Sequence, residues 1–186
     1  MRLFYTIMLD KKLQLSAITI CTVALGLVGY AIDANAAAYI KFDGVDGEAT
    51  DANHKEWIEV LSFSQTIHRG DSGSSVRTTA GVVFEDIVLT KELDKSSPKL
   101  AESVATGKVI PKVEFELTSS VGTYYKYELT NVMVTSYSVS GSADEIPTEQ
   151  VSLNFEEIKT TYTEYGSDGK KGGNVETTWK VEEGTK

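Results

Sequence analysis

The stretch VEFELT (residues 113–118) alternates apolar and polar side chains with a period of two. Val113, Phe115 and Leu117 fall on one face of an extended chain, whereas the two glutamates and Thr118 fall on the other. Strict alternation of this kind indicates a β-strand with one buried face. The stretch VSLNFEEI (151–158) repeats the pattern, so we predict a protein built mainly of half-buried strands.

The same pattern, rich in Val, Thr, Tyr and Phe, covers most of the chain after residue 38. Turn signals separate the extended stretches, among them GDSGSS (70–75) and GSDGKKGGN (166–174), which predicts a hairpin loop. The predicted strands lie near residues 39–43, 57–67, 81–90, 109–118, 123–139, 150–164 and 174–182. Antiparallel strands joined by short loops predict a mainly β fold, as a β-barrel or a two-sheet sandwich.

One stretch, SSPKLAESVATG (96–107), has a helical pattern instead. Ser97 can cap the helix, Pro98 suits its first position, and Leu100 is spaced to pair with Val104. Gly107 can adopt the left-handed conformation that ends a helix. We therefore predict one short helix that flanks the sheet.

The first 36 residues have the organisation of a secretory signal peptide. Three basic residues lie in the first twelve, residues 13–32 carry no charge, and Ala34-Asn35-Ala36 has the small-residue spacing that signal peptidase recognises. We expect cleavage after Ala36 or Ala38, which leaves one domain over 37–186. A membrane anchor is the alternative reading of the apolar run, and Met8 is an alternative start that makes residues 1–7 a miscalled extension.

Composition limits the partners of the mature domain. Its charges, after removal of residues 1–36 with their three basic and two acidic residues, are 15 basic and 25 acidic, a net charge of −10. Such a surface repels phosphate, so we expect neither nucleic acid nor, after cleavage, a membrane as partner. The only cysteine, Cys21, lies in the signal segment, so the mature domain has no thiol for disulfide, catalytic or metal chemistry.

Four segments in order resemble the haemolysin-coregulated protein (Hcp) family, the tube subunits of bacterial type VI secretion. They are AYIKFDGVDGEATDANHKEWIEVLSFS (38–64), LTKELDKSSPKLAESVATGKVI (89–110), VSLNFEEIKTTYT (151–163) and DGKKGGNVETTWKV (168–181). The resemblance implies a two-sheet β-barrel with one flanking helix. It also implies a hexameric ring with a wide hole, stacking of rings into a tube, and transport of effector proteins, with no catalytic residues and no cofactor.

The loop HRGDSGSSVRTTAG (68–81) occupies the place where the family has a Gly/Ser-rich extension that reaches the neighbouring ring. The resemblance therefore implies a ring-stacking contact, with an ordinary connecting loop as the alternative. The candidate contact residues are Arg69, Gly70, Asp71, Ser72, Gly73 and Ser74.

The sequence also contains partial matches to three kinds of site: a serine-protease nucleophile loop, a calcium-binding loop and a histidine metal site. GDSG (70–73) resembles the nucleophile loop of serine proteases, with His54 or His68 as a conceivable base, but neither histidine has a protease-like context. The acidic stretch FDGVDGEATD (42–51) does not fit the EF-hand calcium template, and the two histidines lack the spacing of a metal pair. We therefore expect a protein that is not an enzyme and binds no metal.

Two hypotheses remain for its function. The first is a secreted, hexameric type VI tube subunit that carries or chaperones effectors, with a role in virulence. The second is an exported Hcp homologue that acts as a periplasmic or extracellular interaction protein without a tube role, because typical tube subunits are assembled in the cytoplasm and lack a secretory signal. The route is export through the periplasm if the signal is used, or cytoplasmic assembly followed by type VI export.

Overall fold

The computed structural model describes residues 36–69 and 81–181, which form a nine-stranded antiparallel sheet, a separate two-stranded sheet (residues 67–69 and 82–84), and one helix. The strands of this part of the chain are β1 (Ala37–Phe42), β2 (Ile58–Glu59), β3 (Ser62–Ser64), β4 (Ile67–Arg69), β5 (Val82–Phe84), β6 (Ile87–Glu92), β7 (Val109–Ser119), β8 (Gly122–Ser140), β9 (Thr148–Asn154), β10 (Glu157–Tyr165) and β11 (Lys171–Lys180). The helix α1 spans Ser97–Thr106. The prediction of a mainly β fold with one short helix is confirmed.

The sheet closes into a barrel through a single short segment, residues 58–64. The strand order is β2-β1-β7-β8-β9-β6-β3, and β2 and β3 are consecutive parts of this segment. The amide of Val60 donates to the carbonyl of Ala38 on β1 (2.9 Å), and the next amide, of Leu61, donates to the carbonyl of Thr90 on β6 (2.8 Å). The segment thus changes partner between two adjacent residues and joins the two ends of the sheet.

The long strand β8 pairs with different strands along its two halves. Residues 125–130 pair with β10, and residues 133–140 pair with β9. The change falls beside Asn131, whose φ of 50° is unusual for a residue other than glycine. Its amide group donates to Glu156 Oε2, between β9 and β10, at 2.5 Å. Beyond this bend β10 pairs with β11, and we call the hairpin 157–180 the β10–β11 arm.

The alternating apolar residues predicted from the sequence form the core. Val113 is fully buried and Phe115 is 1% exposed, and the ring of Phe115 stacks on Tyr127 and meets Phe63 edge to face. Burial of aromatic rings in such pairs is a large contribution to the stability of a small domain. Leu117, which continues the same face, is only partly buried because it lies toward the β10–β11 arm.

The helix begins and ends within one residue of its predicted limits. Gly107 has a φ of 65° and closes the helix in the left-handed conformation, as expected. The predicted cap, Ser97, is instead the first helical residue, and Ser96 is the N-cap. The Ser97 hydroxyl accepts a hydrogen bond from the backbone N–H of Asp94 (3.0 Å), so it holds the β6–α1 turn rather than the first turn of the helix.

A buried ionic cluster fastens this turn to the barrel. The ammonium of Lys91 on β6 lies 2.6 Å from the Glu149 carboxylate on β9 and 2.9 Å from the Asp94 carboxylate. It also donates to the carbonyl of Glu92, at 2.8 Å. The hydroxyl of Tyr137 on β8 donates to the second Glu149 oxygen at 2.7 Å. Desolvation and the Glu149 hydrogen bond raise the pKa of Tyr137 to about 12.

Several predicted strands are divided in the structure. The predicted strand 57–67 contains β2, β3 and the start of β4, because residues 58–64 pair first with β1 and then with β6. The predicted strand 150–164 is divided at Phe155 and Glu156, opposite the bend in β8.

No helix within residues 36–69 and 81–181 has the length and apolar character needed to span a bilayer.

Candidate assembly surfaces

The solvated side of β7, β8, β10 and β11 carries a continuous set of paired charges, which we call the charged face. Its members project from the side of the sheet opposite the core, because they alternate with the buried residues of the same strands. The charged face comprises Lys112, Glu114, Glu116, Lys126, Glu128, Lys159 and Glu176.

Two glutamates of the charged face stand directly opposite each other, and lysines bridge them. Glu114 and Glu128 are register partners on β7 and β8, an arrangement that is unfavourable for like charges alone. Lys126 Nζ lies 2.6 Å from Glu114 Oε1 and 3.8 Å from Glu128 Oε1, and Lys112 Nζ lies 3.1 Å and 3.5 Å from the same two atoms. The lysines convert a repulsive pair into a network.

The network lowers the pKa of Glu114 and raises that of Lys126, the base at its centre. Burial opposes ionisation of Glu114, but hydrogen bonds and charges from Lys126 and Lys112 outweigh it and hold its pKa below the ordinary value. Burial also disfavours the charged form of Lys126, but its glutamate partners raise its pKa overall. Glu114 and Lys126 are therefore both stabilised in their charged forms.

Lys159 extends the charged face onto the β10–β11 arm. Its ammonium lies 3.2 Å from Glu176 Oε2 on β11 and 3.8 Å from Glu128 Oε2 on β8. The face holds three lysines against four glutamates, so its charge is nearly balanced. This balance contrasts with the net charge of −10 over residues 37–186.

The opposite side of the arm exposes apolar side chains at an edge of the sheet. In the described part of the chain β11 pairs with β10 alone, so it is an edge strand. A row of register partners, Leu117, Tyr125, Tyr162 and Val175, runs from the core to this edge, and we call it the apolar row. Exposure rises along it to 47% at Tyr162 and 71% at Val175.

The predicted ring-stacking loop follows the small hairpin of β4 and β5. Arg69 is the last residue of β4, is exposed, and is the register partner of Val82. The other candidate residues, Gly70, Asp71, Ser72, Gly73 and Ser74, lie outside the described residues. Their role in ring stacking stays a prediction.

The two histidines lie in unlike surroundings. His68 is on β4 and about half exposed, with its Nδ1 atom 3.7 Å from Glu85 Oε1. His54 is 4% exposed, and each of its ring nitrogens faces a carboxylate, at Asp51 and Glu116. Both nitrogens of His54 are therefore already engaged, and the proposed protease nucleophile, Ser72, lies outside the described residues.

Three of the four acidic residues of the stretch 42–51 are directed to separate partners. Asp46 pairs with the Lys41 ammonium at 2.7 Å, and Glu48 accepts a hydrogen bond from the backbone N–H of Lys95 at 3.1 Å. Asp51 is directed to His54. In residues 36–69 and 81–181 no three His, Cys, Asp or Glu side chains are grouped as metal ligands.

The charged face and the Lys91–Glu149 pair were not predicted from the sequence. The alternation of apolar and polar residues along the strands indicated part of the charged face and the buried position of Lys91. Glu114 and Glu116 were assigned to the polar side of VEFELT, but the lysines opposite them are known only from the register. Lys91 continues the inward positions of Ile87 and Leu89, so a buried charge is expected once that period is extended.

The sequence is similar to those of type VI secretion proteins. The sequence model of a family described as "Type VI secretion system effector, Hcp" matches residues 39–162. Protein hcp1 of Pseudomonas aeruginosa is 32% identical over 151 residues, which cover 77% of this chain and 93% of that protein. Major exported protein of the same organism is 25% identical over 135 residues, which cover 66% of this chain and 78% of that protein.

Solved structures show the same fold. A structure described as that of a type six secretion system protein superposes with a TM-score of 0.75 at 31% identity, covering 80% of this chain and 98% of the other. Hcp1 from Salmonella typhimurium superposes with a TM-score of 0.69 at 29% identity, covering 81% and 98%.

Proposed function

This chain belongs to the Hcp family of type VI secretion proteins, and from that membership we propose that it is a structural subunit of a hexameric ring. The rings stack into a tube that carries or chaperones secreted effector proteins. The Hcp family is a family of structural secretion proteins, and the proposed role includes no bond-breaking step. The observation that carries the proposal is a shared fold over nearly the whole length of the related proteins.

The apolar row and the β11 edge supply the contact between neighbouring copies. Tyr162 and Val175 expose apolar surface at the end of a sheet, where a partner that covers them gains the free energy of apolar burial. One such surface can contact a different surface of the next copy, head to tail. Repetition of this contact closes into a ring when the rotation between neighbouring copies divides a full turn. The arm is therefore the part of the subunit that reaches its neighbour.

The charged face lines the hole of the ring. A wall with nearly balanced and internally paired charges holds a layer of water and presents no strong field of either sign. Effector proteins of either net charge then pass without binding tightly to the wall. The loop from Arg69 to Ser74 contributes to the contact between stacked rings.

For the signal segment we propose cleavage after Ala36 where it is used; it then directs the chain out of the cytoplasm, which belongs to the alternative function given below. Cleavage there keeps β1 intact, because Ala37 and Ala38 are the register partners of Thr118 and Leu117. Cleavage after Ala38 removes the carbonyl that accepts the hydrogen bond of Val60. N-terminal sequencing of protein from separated cell fractions tests this, and an intact first residue on cytoplasmic protein contradicts it.

Native mass spectrometry and electron microscopy test the ring. We expect hexamers and annular particles for the protein recovered from cells, and loss of both for Val175→Lys, which places a charge in the proposed contact. Ile146→Lys is the matched control, because Ile146 is 64% exposed in the β8–β9 loop. A monomer at every concentration contradicts the ring.

Ring stacking has a separate test. Replacing Arg69 and Asp71 by alanine is expected to leave single rings and abolish stacks. The control is the paired replacement of Asp144 and Glu145, which lie in the exposed β8–β9 loop. Stacks that persist in the first variant contradict the role of this loop.

The alternative function is an exported interaction protein without a tube role. The signal segment favours it, because the family resemblance implies assembly in the cytoplasm for typical tube subunits. The two functions differ in where assembled rings occur. Rings found only in the cytoplasm favour the tube, whereas processed monomers in the periplasm or medium favour the interaction protein.

A further inference from the structure

The loop between β1 and β2 (residues 43–57) folds back over β1 as a compact unit. Internal backbone hydrogen bonds hold it, from the N–H of Gly47 to the carbonyl of Glu56 (2.8 Å) and from the N–H of Ala49 to that of Trp57 (2.9 Å). The N–H of Glu56 returns a bond to the carbonyl of Ala49 (3.2 Å). These bonds hold the two arms of the loop together, and contacts with the barrel support them, among them those from Lys41 Nζ to the carbonyl of Glu56 (3.3 Å) and from the N–H of Lys95 to Glu48 (3.1 Å).

His54 links this loop to β7 of the sheet. Its Nδ1 atom lies 2.7 Å from Asp51 Oδ1 within the loop, and its Nε2 atom lies 3.0 Å from Glu116 Oε2 on β7. The imidazole is stacked on Tyr39 of β1, with ring centroids 4.3 Å apart, and Trp57 meets it edge to face. Tyr39 therefore covers one face of the imidazole, Trp57 packs at a right angle to it, and both nitrogens face hydrogen-bond partners.

Two carboxylates facing one imidazole set a requirement on its protonation. A carboxylate accepts hydrogen bonds and donates none, and a neutral imidazole has only one N–H. The protonated ring donates to Asp51 and Glu116 together. The neutral ring donates to one of them and directs a lone pair at the other, across 2.7 Å or 3.0 Å.

The surroundings keep both acceptors ionised. The hydrogen bond from His54 is the largest cause of a pKa for Asp51 below its ordinary value. Burial opposes ionisation of Glu116, but hydrogen bonds from His54 and Thr123 outweigh it, so its pKa is also lowered. The other titratable or charged groups around the imidazole and its partners are Tyr39 of β1, Glu59 of β2 and Lys126 of β8.

We propose that His54 is a proton-operated latch that holds the 43–57 loop on the charged face. With the proton bound, the imidazolium joins the loop carboxylate of Asp51 to Glu116. When the proton leaves, one of these bonds is lost, the loop loosens, and Tyr39 and Trp57 become accessible. The latch does not depend on ring assembly and operates in the single subunit.

The latch has a defined pH window. Asp51 and Glu116 have lower pKa values in the folded protein than in the unfolded chain. Their contribution to the stability of the folded state is therefore complete above their unfolded pKa values and is lost in acid. Imidazoles lose their proton around neutrality, and the latch needs the protonated form. Attachment of the loop is therefore strongest in mildly acidic solution and weakens as the pH rises.

Hydrogen exchange of the loop amides and NMR of the imidazole test the latch on the full chain. We expect the protection factors of Gly47, Ala49 and Glu56 to fall about tenfold, the equivalent of one charged hydrogen bond, when the pH is raised from 5 to 10. Protection factors are used because they correct for the intrinsic rise of exchange with pH.

Two variants isolate the contribution of the His54 imidazole. His54→Gln offers one donor group that cannot titrate, so its protection is expected to be independent of pH. His68→Gln is the matched control, because it removes the other of the two histidines at an exposed position, and it keeps the wild-type dependence. The proposal is overturned if His54 is neutral throughout, if it titrates without a change in protection, or if His54→Gln shows the same fall.

Discussion

The ammonium of Lys91 lies 2.6 Å from the carboxylate of Glu149, and the two residues are register partners on β6 and β9, each 1% exposed. A buried pair of this kind stabilises a protein only when the remaining donors and acceptors are also satisfied. Here Asp94, Ser97 and the carbonyl of Glu92 complete the surroundings of the ammonium, and Tyr137 completes those of the carboxylate. The pair specifies how the helix docks on the barrel.

Replacement of Lys91 by methionine is expected to destabilise the fold by about 3–5 kcal/mol, because it leaves the Glu149 carboxylate buried without its counter-charge. Chemical denaturation followed by tryptophan fluorescence measures the change. The double variant K91M/E149L is expected to recover part of the loss, because it removes the orphaned charge. Lys170→Met, at a lysine whose side chain is 85% exposed, should leave the midpoint unchanged.

Replacement of Phe115 by alanine is expected to cost about 3–5 kcal/mol of unfolding free energy, through lost burial and the cavity that remains. The ring contacts both Phe63 and Tyr127, so its removal affects two walls of the barrel. Thermal and denaturant unfolding measure the effect. Ile146→Ala is the control at a position that is 64% exposed, and an equal loss there contradicts the assigned core.

Replacement of Gly47 by alanine is expected to destabilise the protein by about 1–3 kcal/mol. A Cβ atom at this position lies 2.3 Å from the carbonyl oxygen of Trp57, so the 43–57 loop must shift. Gly173→Ala is the matched control, because a Cβ there meets nothing within 4 Å. Equal stability of the two variants shows that the loop does not pack as described.

The charged face is expected to weaken in acid. Because the pKa of Glu114 is lower in the folded protein than its ordinary value of 4.5, its contribution is complete above about pH 4.5 and is lost as the pH falls through the folded value. Unfolding measured from pH 7 to pH 3 should show a smaller loss of stability in Glu114→Gln than in the wild type.

Glu145→Gln is the matched control for this pH dependence. Glu145 lies in the exposed β8–β9 loop, away from the lysines of the charged face, so the variant should follow the wild-type curve. A wild-type acid response in Glu114→Gln contradicts the assigned role of its ion pairs.

The period-two alternation was sufficient to predict the fold class and the inward residues. Val113, Phe115, Val151 and Leu153 are buried as expected, because alternation reports the local choice between water and core. The ends of the helix were predicted within one residue because they too depend on local sequence: Gly107 ends the helix through its own left-handed conformation. Local patterns do not report pairing, so the change of partner within residues 58–64 was missed.

The candidate surfaces were less accessible to sequence reasoning. The charged face depends on which lysine stands beside which glutamate across β7 and β8, and that register is a long-range property. His54 appeared as an isolated residue because Glu116 is 62 positions away in the chain. Only Arg69 of the predicted stacking loop falls within the described residues.

Closure of the barrel through residues 58–64 also determines where its wall is mechanically weakest. On one side of this segment β2 has a two-residue pairing with β1, and on the other β3 has a three-residue pairing with β6, whereas β7 and β8 share a far longer ladder. A tensile load across the wall therefore separates this seam before any other line. Separation along this seam leaves the pairings from β1 through β7, β8 and β9 to β6 in place.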